Sequence, residues 1–189
     1  MQTIHWLGAG LSAVPGIRRL VKGDLPFVLW NRTVEKAKLA VANTGKEVDI
    51  RLFDVDSLAG AIKSGDIIVS MLPGSWHPTI AELSVDKGAH FVCSSYISPE
   101  MEALNSVATH KGLCLVNEVG LDPGIDHLMA HLLVDEYKHS PEYEATNTIL
   151  FRSYCGGFPS KPNDFRYKFS WSPLGVLKAL KTPSKSILE

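Results

Sequence analysis

A glycine turn between an apolar run and a helical pattern constrains the fold of this chain most strongly. Residues 3–10 read TIHWLGAG, and residues 8–13 follow the pattern GxGxxA. Gly8 permits a tight turn, Gly10 lets a pyrophosphate approach the backbone, and the small Ala13 lets helix and strand pack closely. The start of the helix then offers free N–H groups to phosphate. The stretch therefore predicts a strand, a dinucleotide-binding turn and a helix.

The rest of the first half alternates short apolar runs with helical patterns. Five further runs are predicted strands: PFVLWNR, VDIRLFDVD, DIIVSMLP, AHFVCSSY and LCLVNEVG. Strict alternation implies parallel strands joined by right-handed crossovers. Continuous apolar runs are typical of a sheet covered on both faces. We therefore predict an α/β fold, a doubly wound parallel sheet of the Rossmann type, over residues 1–130.

After residue 130 the regular alternation of predicted strands and helices stops. Residues 126–140 predict an amphipathic helix, residues 144–157 a longer strand and residues 174–181 a last helix. These few elements would make a poor hydrophobic core by themselves. We interpret residues 131–189 as the start of a second α/β domain, for substrate binding and dimerisation, which is incomplete within this chain.

The end of the second predicted strand indicates which dinucleotide binds. A carboxylate there would bind the ribose 2′-hydroxyl of NAD, but this chain has Asn31, Arg32 and Thr33. A guanidinium and a hydroxyl suit a 2′-phosphate, so we predict NADP rather than NAD. The alternative is that Arg32 is a solvated surface charge. Asp54, at the end of the third strand, either faces the adenine or begins a turn.

Ligands of an open parallel sheet lie outside the carboxyl ends of its strands. The later strand ends present Ser70-Met71-Leu72-Pro73 with Trp76 and His77, then Ser94-Ser95-Tyr96, then Asn117-Glu118 and Leu121-Asp122-Pro123-Gly124. Because topology alone gathers these polar groups on one edge, we expect the substrate there, beside the nicotinamide.

Several of these residues also have structural interpretations. Asp122 before Pro123, and Asp126 in the following turn, are what a helix start prefers, so capping and chemistry stay equal alternatives. His127 and His131 have i, i+4 spacing, but the glutamate of HExxH and a third ligand are missing, so we predict no metal.

Composition excludes several classes of protein. A net charge of -1 gives no sign of a surface for nucleic acid or an anionic membrane. The three cysteines, Cys93, Cys114 and Cys155, form no CxxC pair, and no apolar run reaches the length of a membrane span. The N-terminus lacks a signal-peptide pattern. We therefore expect a cytoplasmic protein that binds a small molecule.

Four stretches together resemble the saccharopine dehydrogenase family, in its NADP-dependent, L-glutamate-forming type. They read SSYISPEM, GLDPGIDHLMA, SYCGGFP and YKFSWSPLGVL, in the family's order and across nearly the whole chain. The resemblance implies an oxidoreductase of lysine metabolism that acts on a secondary amine. Saccharopine is oxidised by NADP to an imine, which water splits into L-glutamate and 2-aminoadipate 6-semialdehyde, or the reverse. The alternatives are a related imine reductase, such as carboxynorspermidine dehydrogenase, and an NADP-binding fragment without turnover.

The resemblance also implies roles for individual residues. Gly8, Gly10, Leu11 and Ser12 would hold the pyrophosphate, Asn31, Arg32 and Thr33 the adenosine ribose phosphate, and Ser70, Leu72 and Pro73 the nicotinamide side. Ser95, Tyr96, Asp122, Gly124, Cys155 and Gly156 would contact the substrate. Asp122 and Tyr96, with Cys155 close by, are the catalytic candidates. We expect a homodimer in the complete protein.

Overall fold

Six strands with helices on both sides form the centre of the chain. The computed structural model describes residues 1–154, 159–169 and 172–181. The strands are β1 (Ile4–Leu7), β2 (Phe27–Asn31), β3 (Asp49–Leu52), β4 (Ile67–Ser70), β5 (His90–Cys93) and β6 (Leu115–Val116). The helices are α1 (Val14–Leu20), α2 (Val34–Val41), α3 (Val55–Ala61), α4 (His77–Lys87), α5 (Pro99–Ala103), α6 (Asn105–His110), α7 (Ile125–Lys138) and α8 (Pro173–Ala179), with a 3₁₀ turn at Gly74–Trp76.

The sheet has the order β3-β2-β1-β4-β5-β6, and every neighbouring pair is parallel. After β3 the chain crosses to the other side of β1, so a crevice opens at the carboxyl ends of β1 and β4. The predicted doubly wound fold is confirmed. Among the described residues the sheet ends with β6, and the boundary near residue 130 stays a prediction.

Alternation along the strands divides the core in two. Trp30, Ile68 and Phe91 pack with α3, α4 and α5 on one face. Trp6 and Leu29 pack with α1 and α2 on the other. Because helices cover both faces of the sheet, neither face of the inner strands contacts solvent. These strands therefore lack the alternation of polar and apolar residues that marks a half-exposed strand.

A buried polar network links three neighbouring strands. His5 Nε2 lies 3.2 Å from Asp66 Oδ2, and the Trp30 indole N–H donates to His5 Nδ1 at 3.1 Å. The indole can only donate, so Nδ1 carries no proton and the N–H at Nε2 donates to Asp66. Burial lowers the pKa of His5. The network therefore holds a neutral imidazole in one tautomer.

The region after β6 differs in part from the prediction. The amphipathic helix is present as α7, and its apolar residues, such as Leu128 and Leu132, are more than half exposed. The last predicted helix is present as α8. The predicted strand over 144–157 is wrong for its described part, because 144–154 lie in no strand. A strand needs a neighbour for its backbone groups, and the described chain offers none there.

Candidate functional site

The glycine turn is pressed against the end of β4. Gly8 has φ +97°, and a Cβ there would lie 2.9 Å from the carbonyl oxygen of Met71. Only glycine meets both the backbone conformation and the close approach. The turn is thereby fixed at the crevice between β1 and β4.

Hydrogen bonds on both sides hold the turn. The Gly8 N–H donates to the Trp30 carbonyl at 2.8 Å, and the Ala9 N–H donates to Asn31 Oδ1 at 3.0 Å. Within the described residues, the N–H groups at 10–12 donate to no protein acceptor. Ala13 is buried between α1 and the sheet. Free N–H groups in a rigid turn fit a pyrophosphate.

The end of β2 carries a cation and a hydroxyl without a competing carboxylate. Arg32 and Thr33 are exposed, and Arg32 forms no ion pair with any described residue. Thr33 precedes α2, but its hydroxyl makes no capping hydrogen bond. The nearby Glu35 pairs with Lys38 at 2.9 Å. Arg32 and Thr33 are therefore free to meet a 2′-phosphate.

Asp54 begins a helix, where the sequence predicted either a turn or a contact with the adenine. Its carboxylate accepts the Ser57 N–H at 2.8 Å as the N-cap of α3. Hydrogen bonding with the Ser57 side chain, and then with the Ser57 N–H, lowers the pKa of Asp54. Asp54 and Ser57 also line an open depression beside Trp30 and Arg51. A contact with the adenine stays a prediction.

The end of β4 is less accessible than the sequence indicates. Ser70 is fully buried, and its hydroxyl has no hydrogen-bond partner in the described chain. His77, expected at the ligand edge, starts α4 and turns into the core, with its ring 6.2 Å from that of Phe91. Burial lowers the pKa of His77. Leu72 is half-buried with its backbone beside Gly8, and Pro73 is exposed.

The ends of β5 and β6 bring two predicted catalytic residues together. The Tyr96 hydroxyl donates to Asp122 Oδ1 at 2.7 Å. Because the carboxylate accepts this bond, the pKa of Tyr96 rises to about 12. Tyr96 is 61% exposed, so the pair faces solvent at the predicted substrate edge. Tyr96 therefore stays a hydroxyl donor at neutral pH.

Asp122 does not cap the helix that follows it. α7 begins at Ile125, with Gly124 in the N-cap position and no side chain capping it. The interpretation of Asp122 as N-cap with Pro123 at the first helical position is therefore wrong. Asp126 holds the turn instead, because its Oδ1 accepts the Gly124 N–H at 2.8 Å.

Glu118 is a residue of the site that the sequence interpretation left without a role. It has φ +62°, its N–H donates to the Ser95 carbonyl, and its Oε1 accepts the Ile97 N–H at 3.3 Å. These bonds hold the loop that carries Tyr96. An acidic residue directly after a strand was the only sequence signal.

The remaining predicted residues have different outcomes. Ser95 and Gly124 lie in the loops on either side of the Tyr96–Asp122 pair. Cys155 and Gly156 lie outside the described residues. The described part of the chain contains no group of three or more His, Cys, Asp or Glu that could hold a metal ion. None of its helices has the length and apolarity that a membrane crossing requires.

Two family models match the chain. That of the saccharopine dehydrogenase NADP binding domain matches residues 4–116, which is more than half of the chain. The chain belongs to the saccharopine dehydrogenase family. The model of the saccharopine dehydrogenase C-terminal domain matches residues 120–189. The resemblance of the four stretches and the choice of NADP over NAD are thereby confirmed.

Known proteins of the family agree with this membership. The chain is 35% identical over 184 residues to saccharopine dehydrogenase [NADP(+), L-glutamate-forming] of Saccharomyces cerevisiae, covering 95% of the chain and 40% of that protein. It is 33% identical over 193 residues to the mitochondrial alpha-aminoadipic semialdehyde synthase of Rattus norvegicus, covering 96% of the chain and 20% of that protein. The apo structure of the Saccharomyces cerevisiae enzyme superposes with a TM-score of 0.72 at 29% identity, covering 95% of the chain and 41% of the structure. The chain thus spans about 40% of the length of these saccharopine dehydrogenases.

Proposed function

We propose that this chain is the NADP-binding and catalytic part of an oxidoreductase that acts on the secondary amine of saccharopine, in lysine metabolism. The observation that carries this function is the Tyr96–Asp122 hydrogen bond of 2.7 Å at the sheet edge that also carries the glycine turn. The two relatives named above both have names from this chemistry.

The residues present fit NADP in chemical type. The turn at residues 8–12 would hold the pyrophosphate through its free N–H groups, and Arg32 and Thr33 the 2′-phosphate. Leu72 and Pro73 would line the nicotinamide side. Bound NADP supplies a hydride acceptor for the C–H next to the amine nitrogen.

Asp122 and Tyr96 would move the protons. Oxidation of the amine to an imine releases the N–H proton, and addition of water to the imine requires a base for the water proton. One oxygen of Asp122 accepts the Tyr96 hydroxyl. In the described chain the other oxygen accepts no hydrogen bond, so it is free to accept the water proton. Tyr96 donates its hydroxyl hydrogen to Asp122 and so fixes the carboxylate, and the proton that Asp122 has taken up would return to the nitrogen as the amine departs. Ser95, Gly124, Cys155 and Gly156 would contact the substrate.

The test is NADPH formation from saccharopine, with this chain and with the longest reading frame that contains it. We expect Asp122→Asn to lower kcat by about 10²–10⁴-fold, the usual contribution of a general base. Asp86→Asn is the matched control, because Asp86 is an exposed aspartate in the last turn of α4, at the opposite end of that helix from the strand-end edge. An unchanged kcat in Asp122→Asn removes Asp122 from the chemistry.

A second candidate function is NADP binding without turnover. One observation favours it: the chain spans only 40% of the length of the Saccharomyces cerevisiae saccharopine dehydrogenase. Titration calorimetry with NADP, combined with the saccharopine assay, separates the two. Binding of NADP by the chain, with turnover only in a longer polypeptide, supports the second candidate for the chain alone.

We also propose a cytoplasmic homodimer. The described cysteines, Cys93 and Cys114, are free thiols, as expected in a reducing compartment. The exposed apolar face of α7, including Leu128 and Leu132, would bury itself between two copies. Light scattering of the wild type and of Leu128→Glu tests the dimer, and cell fractionation tests the compartment.

A further inference from the structure

The Asn31 side chain forms a hydrogen bond with each of two segments of the proposed nucleotide site. Its Oδ1 accepts the N–H of Ala9 in the glycine turn at 3.0 Å. Its Nδ2 donates to the Thr33 carbonyl at 2.7 Å. An N–H can only donate and a carbonyl can only accept, so the two partners fix the orientation of the amide.

The two hydrogen bonds connect segments of the chain that would contact different parts of the cofactor. The glycine turn would hold the pyrophosphate, which NAD and NADP share. The segment of Arg32 and Thr33 would meet the 2′-phosphate, which only NADP has. Asn31 therefore fixes the spacing between a general phosphate site and a specific one.

Aspartate or leucine could not replace this arrangement. A carboxylate keeps an acceptor for Ala9 but turns a second acceptor toward the Thr33 carbonyl, which repels it. Leucine has a similar size and forms neither bond. Of the side chains of this length, asparagine alone supplies one acceptor and one donor.

We propose that Asn31 is a positioning residue that sets the preference for NADP over NAD, by holding Arg32 and Thr33 at a fixed distance from the glycine turn. The proposal rests on the nucleotide site of the proposed function. It assigns Asn31 an indirect role, where the family resemblance implies direct contact with the ribose phosphate.

The test is titration calorimetry of the chain with NADP and with NAD, which gives two dissociation constants and their ratio. We expect Asn31→Leu to reduce the preference for NADP by about tenfold. The lost bond to Ala9 affects both nucleotides alike and cancels in the ratio, so the lost bond to Thr33 sets the change. If Asn31→Leu does not fold, as judged by its circular dichroism spectrum, Asn31→Ala replaces it with the same expectation.

A double-mutant cycle with Arg32→Ala separates positioning from direct contact. If Asn31 acts through Arg32, Asn31→Leu leaves the nucleotide preference of Arg32→Ala unchanged. Additive losses of preference would show that Asn31 meets the phosphate itself, and equal losses for both nucleotides would show a purely structural role; either result overturns the proposal. A wild-type chain that binds neither nucleotide would remove the nucleotide site, and with it the proposal.

Discussion

Asp66→Asn should destabilise the fold by about 1–3 kcal/mol, the cost of one buried donor left without an acceptor. The Asp66 carboxylate accepts three N–H groups, from Thr3 at 2.9 Å and from Lys63 at 2.8 Å and His5 at 3.2 Å. Asparagine has one acceptor oxygen. If that oxygen faces Lys63 and His5, the amide N–H of the asparagine points at the Thr3 N–H, and the bond to Thr3 is lost. In the reverse orientation the oxygen faces Thr3, and the bonds to Lys63 and His5 are both lost. His5 cannot switch tautomer, because its other nitrogen already accepts from Trp30.

Thermal unfolding followed by circular dichroism measures this effect. For a chain of this size, each kcal/mol lowers Tm by about 2–4 °C, so we expect a decrease of roughly 2–12 °C. Asp86→Asn makes the same change of charge at an exposed position and should leave Tm nearly unchanged. Equal Tm values for the two variants would refute the assigned hydrogen bonds and tautomer.

Three further predictions concern the glycine turn, the tyrosine and pH. Gly8→Ala should lower NADP affinity in calorimetry by more than about tenfold, whereas Gly45→Ala has a similar positive φ but open space and should not. Asp122→Asn should lower the pKa of Tyr96 from about 12 toward 10.0, seen as earlier tyrosinate absorbance in an alkaline titration; an unchanged titration would contradict the hydrogen bond. Burial lowers the pKa of His5, so below about pH 6.5 the unfolded state binds more protons and stability falls with falling pH. Urea unfolding at about pH 7 and pH 5.5 measures this, and equal free energies of unfolding would contradict a neutral His5.

Local patterns predicted the elements whose causes are local. The glycine turn and the amphipathic α7 depend on neighbouring residues, and both are present. The predicted strand over 144–157 depends on a partner strand elsewhere. Its apolar residues express a preference, but the hydrogen bonds that make a strand come from another part of the chain.

The candidate site shows the same division. Sequence placed Tyr96 and Asp122 at the same edge, because the carboxyl ends of parallel strands converge. It could not decide between a cap and a catalytic carboxylate for Asp122, since both use the same residue types. The position of Ile125 as the first residue of α7 decided against the cap. His77 was placed at the edge by its position in the chain, and packing against Phe91 turned it inward.

The sequence by itself determined the doubly wound sheet, the nucleotide turn and the absence of a carboxylate at the end of β2. These features follow from residue spacing and from the backbone freedom of glycine. Only the tertiary structure decided which side chains meet: Tyr96 with Asp122, His5 with Asp66, and Asn31 with Ala9. Their partners lie 26, 61 and 22 residues away. The order of the strands in the sheet brings residues with such large sequence separations into contact, and no local pattern in the chain encodes those contacts.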